Sequence, residues 1–162
     1  MSFAEKFNAR SSEIGHGISI QEKPAQEGPQ AIVFTLTRSL GEMQHVGLLA
    51  DRCEAPGMVQ VLCSMDDAGA CDGLTVYATA IDALCERNEA WRNGVLKRLG
   101  LFDGKFGWMR KVTTQSGGWS FAVQAHSPAK GILLPILYES IELGRSFIIE
   151  DYQRKPLPLF LL

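Results

Sequence analysis

The sequence lacks the features that most quickly assign a function. No apolar run is long enough to span a bilayer. The opening "MSFAEKFNARSSEIGHG" holds none of signal-peptide length, so the expected compartment is the cytoplasm. Of the four cysteines, Cys53, Cys63, Cys71 and Cys85, no two have the short gap of a zinc clamp. A chain of 162 residues can also bury a core without disulfide staples. Buried thiols are therefore expected, with Cys71 the exception because "DDAGACDG" reads as an exposed loop. His16, His45 and His126 lie far apart and none sits in an H-E-x-x-H motif, so no metal site is expected. Gly117–Gly118 and "GHG" lack the strand-to-helix setting of a phosphate loop. Internal repeats and low-complexity tracts are absent, and the formal net charge of −2 excludes a generally basic nucleic-acid binder.

What is present fits a packed protein. Hydrophobic residues make up 46% and charged residues 21%, enough apolar content for one core. Residues 1–30 are polar and punctuated by Gly15, Gly17, Pro24, Gly28 and Pro29. They read as a flexible arm ahead of one domain over 31–162, with a short turn at Phe3–Phe7 and a short strand at Ile18–Ile20. "AIVFTLT" (31–37) reads as a strand. "SLGE" (39–42) has capping-box spacing, and Leu40, Met43, Val46 and Leu49 follow at helical spacing, so a helix is expected up to Pro56–Gly57. "MVQVLCSM" (58–65) reads as a second strand. One long helix is expected from Leu74 to Leu99, kinked at Gly94. "KFGWMRKVTT", "QSGG" and "WSFAVQAH" read as strand, turn, strand. "GILLPILYES" reads as a short helix or crossover interrupted by Pro135, and "IELGRSFIIE" (141–150) as the last strand. The order β-α-β-α-β-β-short α-β, with a mostly antiparallel sheet and two main helices, makes an α+β layered domain.

Two stretches carry candidate chemistry. The first is a charge asymmetry. Between Ala90 and Lys111 lie Arg92, Lys97, Arg98, Lys105, Arg110 and Lys111 against Asp103 alone, interleaved with Trp91, Phe102, Phe106 and Trp108. An acidic protein partner suits this surface better than nucleic acid does. A solvated helix face followed by a strand with core aromatics is the structural alternative. The second is the closing strand. Alternation puts Glu142, Gly144 and Ser146 on one face and Arg145 on the other. A mid-strand glycine marks close approach of a ligand or another backbone, and the plainer reading is an edge strand with surface ion pairs. The apolar tip "PLPLFLL" either packs on its own domain or exchanges into a homodimer.

The segment "IELGRSFI", followed by "DYQRKPLPLFLL", resembles part of the bacterial acyltransferases of the GNAT superfamily that are similar to ornithine-lipid synthases. Those families transfer an acyl chain from a CoA or acyl-carrier-protein thioester to an amine. The resemblance implies Glu142 as base or amine-orienting carboxylate, Arg145 as anion or carbonyl contact, and Ser146 beside them as the catalytic set. It implies Gly144, Arg154 and Lys155 as neighbours of the thioester cosubstrate. The match covers residues 141–162 only. A non-enzymatic adaptor, inhibitor or immunity-like protein, binding through residues 90–111, is the alternative.

Overall fold

The computed structural model describes residues 1–28, 32–39, 41–64, 67–102, 111–126 and 144–151. The chain begins with helix α1 (Phe3–Ile14), closed at its start by Ser2. The Ser2 hydroxyl accepts from the Glu5 N–H at 3.2 Å, and the Glu5 carboxylate accepts from the Ser2 N–H at 2.6 Å. Gly15, left-handed at φ 83°, ends the helix and returns its N–H to the Ser11 carbonyl. Phe3, Phe7 and Ser11 recur every four residues and are buried together. Residues 1–28 thus hold a packed helix and two strands where the sequence suggested a loose arm.

Short strands follow: β1 (Ile18–Ile20), β2 (Gln26–Glu27), β3 (Ile32–Phe34), β4 (Leu36–Arg38) and β5 (Gly41–Glu42). Then come β6 (Val46–Ala50) and β7 (Met58–Ser64). The helix expected after Ser39 does not form. Ser39 instead turns the chain at φ 51°, with Arg38 paired to Gly41 across a hairpin. Every residue of β6 is buried, and a short run that is apolar on all sides suits a central strand as well as a helix.

The long helix expected over 74–99 is two helices, α2 (Asp67–Cys85) and α3 (Glu89–Arg98). Glu86 at φ 53° breaks the first, and the Asn88 side chain caps the second by accepting from the Trp91 N–H at 2.8 Å. "DDAGACDG" lies mostly inside α2 rather than in a loop. Its glycines let the helix lie close on β7: a Cβ added at Gly73 would sit 2.6 Å from Cys63 Sγ. Strands β8 (Val112–Ser116), β9 (Trp119–His126) and β10 (Gly144–Asp151) complete the described chain. The 112–126 hairpin forms where it was expected, turning on Gly117 and Gly118 at φ 59° and 84°.

Two antiparallel sheets result. A small one has the order β1-β4-β5, and a seven-stranded one has the order β2-β3-β6-β7-β10-β9-β8. Thr35 alone separates β3 from β4, where the chain passes between sheets. Helices and antiparallel sheets together make the α+β fold anticipated from the sequence. Val59, Val61, Cys63, Phe121, Val123, Phe147 and Ile149 form the sheet's side of the core, and Val76, Tyr77, Ala80 and Ile81 of α2 form the other side. Tyr77 stacks against Phe147 at 5.0 Å and donates its hydroxyl to the Ile148 carbonyl at 2.9 Å. The alternate positions Val33, Leu49, Leu62 and Ile148 are buried as well, so the central strands β3, β6, β7 and β10 bury side chains on both faces, whereas β8 at the sheet's end is half exposed.

Candidate functional site

The closing strand is central rather than peripheral. Gly144 pairs with Ser64 on β7 and with His126 on β9, and the double ladder runs on to Glu150. Arg145 stands opposite Cys63 and Ala125 in that register. Ser146 is fully buried and accepts a hydrogen bond from Gln60 Nε2 at 3.1 Å. Gln60 Oε1 is buried without a partner among the described residues, an arrangement that costs free energy in an apolar setting. Glu142, Arg154 and Lys155 lie outside the described residues, as does the Arg145 side chain.

The basic surface separates into structural and exposed members. Arg92 is mostly buried and reaches Asp82 at 3.3 Å, and Arg10 of α1 meets the same carboxylate at 2.8 Å. Asp82 thereby ties α1, α2 and α3 together, and Arg92 is removed from any docking face. Trp91 is half-buried, edge-on to Phe121 at 6.0 Å with the Arg87 guanidinium over its ring. Lys97, Arg98 and Lys111 are exposed, and Arg98 Nε donates to Thr114 Oγ1 at 3.1 Å, which sets the end of α3 beside β8. Lys105 and Arg110 lie outside the described residues.

Arg98 and Lys111 thus flank the last strand of the large sheet, and Lys97 precedes Arg98 at the end of α3. A two-residue turn makes Ser116 and Trp119 a hydrogen-bonded pair. Alternation then makes Thr114–Phe121 and Val112–Val123 bonded pairs too. Thr113 and Gln115 consequently turn their backbone N–H and C=O away from β9. Both are exposed, and β8 has no further strand beside it among the described residues.

A second cluster escaped the sequence reading. Asp72, near the start of α2, accepts from both ends of the Arg38 fork, at 2.7 Å and 3.1 Å, and from His45 Nε2 at 2.6 Å. Burial pushes the Asp72 pKa up, but the bonds from Arg38 and His45 outweigh it and hold the group below its ordinary value. A cavity of about 460 Å³ opens beside the cluster, with Arg38, Ser39, Gly41, Glu42, Gln44 and His45 among its lining residues. About two turns further along α2, Thr79 Oγ1 meets His16 Nε2 at 2.8 Å, while His16 Nδ1 accepts from the Ile18 N–H at 3.1 Å. An accepting Nδ1 requires the neutral ring with its hydrogen on Nε2. Burial first, and the Arg38 charge second, push the His16 pKa down. Only spatial pairing brings residues 16, 38, 45, 72 and 79 together, and no local spacing announces it.

Cys63 is buried, Cys53 and Cys85 are half-buried and Cys71 is exposed, and no disulfide joins the four. No group of three metal-binding side chains converges among the described residues, and no described helix is long and apolar enough to cross a membrane. No family model, curated protein or solved structure matches the chain.

Proposed function

We propose that the protein is a binding protein whose edge strand β8 accepts an acidic, extended segment of a protein partner. The observation that carries this reading is the juxtaposition at the sheet's end. Thr113 and Gln115 present backbone donors and acceptors outward, with Lys97, Arg98 and Lys111 close by in the fold. An added strand gains main-chain hydrogen bonds from the edge, and its carboxylates gain register and faster encounter from the cations. The polar, cation-flanked character of β8 also discourages indiscriminate edge-to-edge pairing.

The acyl-transfer reading rests on Glu142 and Arg145, and it needs an opening beside Gly144. The ladder there is continuous on both sides of β10, so the described contacts do not favour it.

Selection from a displayed library of acidic decamers with alternating polar and apolar residues tests the proposal. Enriched peptides should lose binding to the triple reversal Lys97→Glu, Arg98→Glu, Lys111→Glu, and to Gln115→Pro. Proline at 115 removes an outward donor but none of the hairpin's own bonds. An acidic library that enriches no better than a basic one of the same pattern contradicts the proposal.

A further inference from the structure

The Asp72 cluster does more than fasten β4 to α2. A fastener needs one cation for one carboxylate, and Arg38 already supplies it through two bonds. His45 adds a further donor to the same carboxylate. The Arg38 and His45 side chains stay 40% and 37% exposed, and both line the cavity. Binding through both terminal nitrogens leaves the Arg38 Nε–H and the second hydrogen of each Nη without a partner among the described residues. His45 Nδ1 is likewise unbonded among them. Asp72, mostly buried, therefore fixes the rotamers of two nitrogen-rich groups whose remaining positions border open space. Such pre-ordering lowers the entropy lost when a planar or tetrahedral oxyanion is held.

We propose that this cavity binds a small oxyanion, the phosphate or carboxylate group of a soluble metabolite, through the remaining Arg38 N–H groups, with His45 Nδ1 adding a donor when the ring carries both its hydrogens. Glu42, which also lines the cavity, opposes the anion by its like charge. The site is independent of the β8 edge and neither proposal requires the other.

Isotope-labelled protein titrated with inorganic phosphate, and separately with acetate, tests this by the His45 ring and Arg38 Nε–H resonances. Sodium chloride holds the ionic strength constant throughout. The expected result is a saturable shift with at least one anion. Saturation with phosphate alone assigns a phosphate ligand, and saturation with acetate alone a carboxylate. Gly41→Asp should weaken the affinity at least tenfold without altering the urea midpoint, because an added Cβ there meets no atom within 4 Å. Glu42→Gln, which removes the opposing carboxylate, should tighten it. Shifts that grow linearly with both anions, or affinities unchanged in both variants, overturn the proposal.

Discussion

The two faces of α2 do different work. One face, through Gly69, Gly73, Val76, Tyr77, Ala80 and Ile81, lies on the large sheet by apolar packing and close backbone approach. The other carries Asp72, Thr79 and Asp82, which hold Arg38, His45, His16, Arg10 and Arg92 by directed polar contacts. Apolar packing is dense, intolerant of added volume and indifferent to pH. Polar fastening depends on protonation state and contributes less per contact. The difference teaches where this molecule is built to be rigid and where it remains sensitive to its surroundings.

The largest expected effect strikes the apolar face. Phe147→Ala removes the ring that packs under Tyr77 and should cost about 3–5 kcal/mol of unfolding free energy, measured by urea denaturation. Gly73→Ala comes next. Helix propensity alone would favour alanine by about 1 kcal/mol. The clash with Cys63 Sγ should reverse that sign and leave a net loss of about 1–3 kcal/mol. A stabilised Gly73→Ala protein would show that α2 does not lie as close to β7 as described.

The smallest effect belongs to the polar face and appears as pH dependence. His16 has a folded pKa below its ordinary value of 6.5, so the unfolded chain takes up a proton first as pH falls. Its contribution is complete above pH 6.5 and is lost progressively below it, toward the folded pKa. The charged and polar groups facing it are Arg38 from β4, Ser11 from α1 and Thr79 from α2. Asp72 is held below the ordinary carboxylate value of 3.8, so its stabilising charge is lost only at more acidic pH. The urea midpoint should therefore fall between pH 7.5 and 5.5, and His16→Gln should flatten that fall. Identical pH profiles for the two proteins would remove His16 from the account.

The same contrast explains what the sequence could disclose. Apolar alternation over 119–123 and the paired glycines at 117 and 118 made the β8–β9 hairpin legible, because both signals are local. The S-x-x-E pattern occurs at Ser2–Glu5 and at Ser39–Glu42, yet only the first caps a helix. After Ser2, Phe3, Phe7 and Ser11 supply a one-sided stripe. After Ser39, the run Val46–Ala50 is apolar on every side and pairs with β3 and β7 instead. Gly69 and Gly73 looked like loop residues because glycine is read first as a breaker, whereas here the missing side chains admit a strand. Arg92, counted among the partner-binding cations, belongs to Asp82, ten residues earlier but in the preceding helix. The Asp72 cluster gathers residues from α2, β4 and the loop before β6, so only the fold assembles it.

The most direct test of the central claim is amide exchange along β8 in the presence of an acidic peptide selected on the protein. Thr114 and Val112 already bond to β9, and their exchange should change little. Thr113 and Gln115 should gain protection when the peptide binds, and lose that gain with the Lys97, Arg98 and Lys111 reversals. A peptide that binds while Thr113 and Gln115 exchange as before would contradict strand addition at this edge.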